Sequence, residues 1–541
     1  MRRALVISVT CLVAAVAAGA PARAAAVPKP KITAFAANPS ALTVVRQWVW
    51  VTATMTNAQD CEITVVPPAV RGAGSFDCTS QAVDRFVFLP FNASHKAKVT
   101  YRVSLIVHGT GGTSKKTAVV KVWPSSGGAP ADWGYLYGGA GSDGASATAI
   151  DGTGVYMTGS TTGALPSVSD APAGGTDGFI AKYSRTRFGG LQWAHRIGGH
   201  GDDEPQGIAT DSSGSVYVVG CSSGPMPGSP SDAVGGTDAF VQRWGSDGTL
   251  QWTRMFGSSG DDCAQGVVVT SWGVVVVGQA TGALSGAPES FGGGGYYGDA
   301  FVAAFDASGN RSWVHLFGGT GDDVANGVAA TSNGSVVVVG GTTATVPGGS
   351  SHGGTDAFSV RYDSTGASSG VTQTGTSGDD WGQAVASRGH VVAVSGYTQG
   401  ALYGTHPGAT IDQWVFTVDD STMAHWQTQF PIGDIASGSP GGSGVAVDAL
   451  GRVYLVGSTT KPIAGAQEDW YDSRNGYVVE FSSTGLRQWV HHLGVGSTAD
   501  VPSAAADDSG VVAVGTVTGS FLDLDGAPAG NTDAFVISYL A

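Results

Sequence analysis

Four short runs of apolar residues recur in fixed order along most of this chain. Their spacing predicts one four-stranded unit repeated about every sixty residues. In the copy at 263–317, residues 265–270 read as a first strand and 274–278 as a second. Residues 299–305 and 311–317 read as a third and a fourth. The first two are rich in Val and suit burial on both faces, while the last two alternate apolar with polar positions. Ser271-Trp272-Gly273 and Asp306-Ala-Ser-Gly309 supply the turns. A lone twisted sheet of four strands cannot bury both faces, whereas several arranged radially can. The expected fold is therefore all-β, with a seven-bladed β-propeller over 133–541.

The chain also suggests how such a ring closes. The repeat region opens on a fourth-type strand, 133–137, and ends on a third-type strand, 533–539. The last blade would then take its outer strand, 133–137, from the start of the region, which removes a free edge. Trp133, Trp193, Trp252, Trp313, Trp426 and Trp489 recur in step, and the copy near Val371 has lost its Trp.

Residues 30–124 do not share the repeat. Alternating runs at 47–55, 61–66, 84–89, 96–107 and 116–123 read as an immunoglobulin-like β-sandwich. Residues 125–132 read as a linker. Residues 1–24 have the form of a secretory signal: Arg2 and Arg3, an apolar stretch, and Ala22-Arg23-Ala24 as cleavage site. Secretion, to the extracellular space or the cell surface, is the expectation.

Composition narrows the function. Cleavage would remove three arginines and no acidic residue. The remaining 24 Lys and Arg face 42 Asp and Glu, a net charge of −18. A net acidic chain with scattered basic residues makes nucleic acid a poor partner, and no segment suits membrane insertion. Four cysteines would remain in an oxidising compartment. Cys61 with Cys78, and Cys221 with Cys263, are the expected disulfides, the second pair stapling adjacent blades.

The repeat resembles the bacterial SBBP β-propeller repeat family over about 133–541. The resemblance rests on Asp151-Gly-Thr-Gly-Val-Tyr-Met-Thr-Gly-Ser-Thr-Thr-Gly-Ala-Leu-Pro166, on Gly236-Thr-Asp-Ala-Phe-Val241 and on the Trp-to-Phe-Gly runs. It implies an extracellular or cell-surface protein and supplies no catalytic residues. Blade six departs from the pattern at Gly438-Ser-Pro-Gly-Gly-Ser443 and at Asn475-Gly-Tyr. The turn within 304–313 resembles the tryptophan-docking turn of quinoprotein dehydrogenases, and such turns are also similar to the Asp boxes of sialidases. Both likenesses concern blade construction.

Gly-Asp-Asp segments lie between successive units and carry Asp202, Asp203, Asp261, Asp262, Asp322, Asp323, Asp379 and Asp380, with Asp143 in a variant copy. A second set, Asp177, Asp238, Asp299, Asp356 and Asp533, precedes the third strand. In an antiparallel blade both sets share one face. They would hold a hard cation or sugar hydroxyls, or they would cap turn N–H groups. Recurrence in nearly every copy favours capping. Among the acidic residues, Asp203, Asp262, Asp323 and Asp380 are the candidate ligand-binding residues. The amides Gln206, Gln265, Asn326 and Gln383 join them, either lining a channel or bonding to the next blade. His195, His315 and His491 sit two residues after a Trp and read as packing residues. Trp381 and Tyr296-Tyr297 are candidate surface aromatics.

No cofactor is expected. Calcium has no specific motif, and no His-Cys spacing suits zinc. The favoured function is non-catalytic binding of an extracellular polysaccharide or protein by a monomer. The alternatives are a glycan-acting hydrolase or lyase with carboxylates at the propeller mouth, and a structural scaffold or adhesin.

Overall fold

The computed structural model describes residues 31–34, 47–51, 54–56, 58–66, 74–77, 85–89, 99–109 and 112–122. From 131 onward it describes all residues except 169–173, 186–189, 230–234, 290–291, 293–297, 405–410, 434–442, 465–473, 494–497, 519–530 and 541. The predicted signal segment, most of the predicted linker, Cys78 and Tyr296-Tyr297 lie outside the described residues. The chain divides into two compact units, with the boundary between Pro130 and Ala131.

The first unit contains a four-stranded antiparallel sheet ordered Gly74–Asp77, Asp60–Val66, Val99–Gly109 and Gly112–Val122. Two further pairs join Lys31–Ala34 to Thr54–Thr56 and Gln47–Val51 to Arg85–Leu89. Cys61 lies opposite Val107, and Ile63 opposite Leu105. All four are buried, so period-two alternation places one apolar stripe on one face. Cys61 is disulfide-bonded.

The second unit is all-β. Its strands assemble into seven successive four-stranded antiparallel sheets. They span 143–197, 203–256, 262–317, 323–374, 380–433, 445–493 and 499–540, and are called sheets 1 to 7 below. Strands A to D run in order within each sheet. Strand B is buried throughout in sheets 2, 4 and 6, as Val216–Ser222, Val336–Thr342 and Val453–Thr459. Strand D is the least buried, as in Leu191–Ile197 and Ser368–Thr374. In sheet 3, strand A runs Asp262–Thr270 and begins earlier than the sequence pattern indicates. Hydrophobicity starts late there because the first residues of the strand are Asp262 and Cys263.

Strand D of sheet 7 is Ala131–Tyr137. It pairs with Asp533–Leu540, with Tyr137 opposite Ala534 and Trp133 opposite Ser538. Each A strand packs against the A strand of the next sheet, and that of sheet 7 packs against that of sheet 1. This cyclic packing is consistent with a β-propeller. The apolar cores lie between sheets. Val219 and Val241 of sheet 2, for example, share a cluster with Val276 and Phe301 of sheet 3. Val512 and Val536 of sheet 7 share another with Met157 and Phe179 of sheet 1.

The recurring Trp fastens one sheet to the next. The indole N–H groups of Trp193, Trp252, Trp313 and Trp426 donate to the carbonyls of Ser246, Ala307, Ser364 and Ser483, at 3.1–3.2 Å. Each acceptor belongs to the C–D turn of the following sheet. Gly309 in such a turn has φ +81°, and a Cβ there would stand 3.0 Å from the Trp252 ring. Gly is therefore required by both backbone conformation and ring contact. In sheet 4 the position corresponding to Trp313 is Gly370, which has φ +61°. Ser359 pairs with Thr372 and Arg361 with Ser369, so Gly370 and Val371 face the single residue Val360 in a β-bulge.

Cys221, in strand B of sheet 2, is joined to Cys263, in strand A of sheet 3. The two are separated by 42 residues, and closing a loop of that length stabilises by about 4 kcal/mol. Reduction is expected to lower the melting temperature of the full chain. A Cys221→Ser variant should start lower and lose less on reduction, because only other disulfides remain to be reduced. Equal losses in the variant and the parent, followed by calorimetry, would refute the staple.

Candidate functional site

The two carboxylates of each Gly-Asp-Asp segment have separate tasks. The first Asp reaches the backbone just before strand C of the preceding sheet. Thr176 N donates to Asp202 at 2.8 Å, Thr237 N to Asp261 at 2.9 Å and Thr355 N to Asp379 at 2.9 Å. The second Asp opens strand A and accepts the N–H four residues earlier. Gly199 N donates to Asp203 at 2.9 Å and Gly319 N to Asp323 at 2.8 Å. Ser258 N donates to Asp262 and Thr376 N to Asp380. Gly139 N does the same to Asp143.

Asp203, Asp262, Asp323 and Asp380 are all buried, at 0–1% exposure. The structure therefore places these candidate ligand residues beneath the D–A turns, where they hold the turn backbone. Asp177, Asp238, Asp299, Asp356 and Asp533 open strand C and are equally buried. The two sets meet at the junctions. A Cβ added to Gly257 would collide with both Asp238 and Asp262, and one added to Gly375 with Asp356 and Asp380. Only glycine fits after strand D because two carboxylates close in there.

Whether such a pair has a counter-group depends on one residue of strand D. In sheet 1 it is Arg196, which donates to Asp177 at 2.7 Å. In sheets 4 and 5 it is Gln373 and Gln429, which donate to Asp356 and Asp412 at 2.8 and 2.7 Å. In sheets 2 and 3 the same position holds Met255 and Leu316, whose side chains have no N–H or O–H to donate. Burial, reinforced by Asp238 and Asp299, pushes Asp262 and Asp323 up to about 6. Burial also raises Asp203, Asp299 and Asp380.

The predicted amides lie at one structural position. Strand A carries a bulge between Pro205 and Gly207, Ala264 and Gly266, Ala325 and Gly327, and Gly382 and Ala384. The residues left over are Gln206, Gln265, Asn326 and Gln383, with Ser146 equivalent in sheet 1. All are half-buried. Asn326 Nδ2 donates to Gly382 O of the next sheet at 2.9 Å, and Ser146 to Pro205 O at 2.5 Å. Gln265 Nε2 donates to Gln279 of its own sheet at 3.3 Å. The bulge itself was not visible in the sequence, although a polar residue beside a glycine in an apolar strand was its trace.

His195, His315 and His491 pack on an aromatic ring at the seventh position of strand C of the next sheet: Trp244, Tyr362 and Tyr539 respectively. His315 also meets Glu289 at 2.7 Å. Trp381 stacks on Tyr397.

One cluster escaped the sequence reading. Ser332 Oγ donates to the Asp420 carboxylate at 2.9 Å, and His390 Nδ1 lies 2.9 Å from the same group. Ser332 comes from sheet 4, and the other two from sheet 5. Ser332 Oγ also lies 3.0 Å from His390 Nδ1, so a single ring nitrogen faces both partners, whereas in a hydrolase triad the serine and the carboxylate meet opposite ring nitrogens. Among the described residues, no group of three or more His, Cys, Asp or Glu is placed to hold a metal ion.

Residues 192–225 match the SBBP β-propeller repeat. They cover strand D of sheet 1, the Gly-Asp-Asp turn and strands A and B of sheet 2. A stretch of 106 residues is 36% identical to Regulatory protein FlaEY of Caulobacter vibrioides. It covers 19% of this chain and 11% of that protein, so the chain spans about a tenth of that relative. Solved structures with similarity include a quinoprotein alcohol dehydrogenase-like protein from Bacteroides thetaiotaomicron. Identity is 10%, coverage 86% of this chain and 96% of that one, and the TM-score 0.32. An endo-arabinanase from Bacillus licheniformis gives 8% identity, 53% and 92% coverage, and a TM-score of 0.23.

Protonation should therefore shape stability. The folded protein keeps protons on Asp262 and Asp323 between about pH 4 and 6, where the unfolded chain has lost them. Their contribution rises as pH falls from 6 to 4. The turn carboxylates act in the opposite direction. Hydrogen bonds from Ser421 and the Thr422 backbone bring Asp419 down to about 2, and Asp306 and Asp363 are also lowered. Stability from these groups is present above about pH 4 and lost as pH falls towards 2. The melting temperature is expected to peak in the mildly acidic range. Replacing both Asp262 and Asp323 by Asn should flatten the limb between pH 6 and 4. An unchanged limb in that double variant would sink the assignment.

Proposed function

We propose that residues 133–541 form a seven-bladed propeller whose last blade is closed by strand 133–137, preceded by an immunoglobulin-like module at 30–124. The protein is read as a secreted, non-catalytic binding monomer, engaging an extracellular polysaccharide or protein at the mouth of the propeller. One observation carries the choice of binding over catalysis. The acidic residues that would serve a glycosidase are buried and committed to loop N–H groups, while the half-buried amides of the inner strands are uncharged. A glycosidase needs two carboxylates that flank a bound sugar. Neutral amides both donate to and accept from hydroxyl groups, which suits a polysaccharide. Gln206, Gln265 and Gln383 are the residues favoured for that contact, with Asn326 committed to the next blade.

The test is binding of the protein to a panel of polysaccharides and cell envelopes, with calcium or with chelator, while released sugar is assayed. Saturable binding without released sugar is expected. A Gln206→Ala, Gln383→Ala double variant should bind several-fold more weakly at unchanged melting temperature. Release of sugar would replace this reading with the hydrolase or lyase. Loss of binding with chelator would bring calcium into the site. Absence of all binding would leave the scaffold reading.

A further inference from the structure

A cavity of about 490 Å³ lies between sheets 3 and 4. That volume is within the range of small-molecule sites. Its walls are Leu316, Phe317, Pro347 and Val371, with the Tyr362 ring on one side. Its acidic groups outnumber its basic ones. Glu289 stands at the rim with its side chain 40% exposed, and Asp299 is buried at 2%. Asp323 lies directly behind the lining residue Gly318. Among the described lining residues, His315 is the one basic side chain, and it meets Glu289 Oε1 at 2.7 Å.

Glu289 is bonded through both oxygens, Oε1 to His315 and Oε2 to Leu316 N at 3.2 Å, and Asp299 through one. Asp299 Oδ2 accepts Gly292 N at 2.7 Å, but the buried Oδ1 has no hydrogen-bond partner. A buried carboxylate oxygen without a partner is costly, and a ligand that donates to it recovers that cost. At the junction of sheets 1 and 2 Arg196 fills the equivalent role for Asp177 from within the protein. Here the strand D position is Leu316, whose side chain carries no charge. The bulge at Gly370 belongs to the same place, since the next residue, Val371, forms part of the wall.

The geometry points to a binding site for a ligand bearing an ammonium group, on an aliphatic or amino-sugar body, with the ammonium between Glu289 and Asp299 and the body against Leu316, Phe317 and Val371. Two lining carboxylates, with Asp323 behind them, outweigh one imidazole, so a cation enters a field already negative. The apolar walls set the size of the body. The cavity is built from strands D of sheets 3 and 4 and the adjoining loops, whereas the amides lie on the A strands. Channel binding and cavity binding therefore fail independently.

Calorimetric titration of the full chain with cyclohexylamine and with glucosamine tests this, using cyclohexanol and glucose as neutral matches. Saturable binding of at least one amine, at least tenfold tighter than its neutral match, is expected. The tighter amine identifies the body. Glu289→Gln should weaken binding about tenfold, and Asp299→Asn at least as much. Val371→Trp should fill the cavity and abolish binding. Glu289 and Val371 lie at the edge of the fold, so these two variants serve even where Asp299→Asn fails to fold. Equal binding of amines and neutral matches, no binding of either amine, or full binding by the Val371→Trp variant would overturn the proposal.

Discussion

Each sheet of the repeat unit is apolar on both faces, and that constraint governs everything else in the unit. A face left in water costs about 25 cal/mol for every Å² of apolar surface, so each sheet needs a neighbour on both sides. Seven sheets in a row would leave two such faces uncovered. Packing sheet 7 against sheet 1 removes them, and Ala131–Tyr137 completes sheet 7 from the other end of the region. The junctions between sheets, more than the sheets themselves, are therefore where the sequence has least freedom.

The junctions explain why aspartate recurs. The chain leaves strand D on the outside and must return to strand A on the inside within a few residues. Such a turn buries backbone N–H groups that no strand can satisfy. Asp203, Asp262, Asp323 and Asp380 accept them, and the preceding Asp ties the turn to the sheet before it. A carboxylate is a strong acceptor, but two of them meet at the junctions that carry both sets, such as Asp238 with Asp262 and Asp356 with Asp380. Arg196 and Gln373 bond to the strand C member where they occur. Burial raises the strand A carboxylate at junctions with and without such a residue, Asp203 and Asp380 as well as Asp262 and Asp323. The repeated strand C residue thus has different partners at different junctions, set by one neighbour on strand D.

Much of the fold was legible because the repeat multiplies weak signals. Val-rich second strands, Asp-x-x-Gly turns and periodic Trp residues each mean little once, but in step they mark every sheet. The site was less legible. Asp262 reads as a loop residue because the apolar run starts at Ala264, although backbone pairing starts at Asp262. The equivalence of Gln206, Gln265, Asn326 and Gln383 was visible, but the bulge that turns them aside depends on the register with strand B, which no local pattern encodes. The Ser332, His390 and Asp420 cluster joins three turns from two sheets, so no sequence spacing could reveal it. The disulfide between Cys221 and Cys263 was legible because both cysteines depart from the repeat in adjacent copies.

Departures from the repeat are also where sheet 4 becomes distinct. With Gly370 in place of Trp, no indole lies against the C–D turn of sheet 5. That turn consequently has no need of the glycine found at Gly309, Gly366 and Gly485. Thr422 stands at that position, and the positive φ passes to Met423. The turn takes its anchor from side chains instead, through Asp420 to His390 and Ser332. On the other side of sheet 4, Val371 of the bulged strand lines the cavity that holds Asp299 and Glu289. A lost Trp, an altered turn, a new polar cluster and an unfilled cavity thus surround one sheet. The junction of sheets 4 and 5 is thus held by contacts different from those at the indole-anchored junctions, and sheet 4 is the part of the unit whose chemistry the repeat does not dictate.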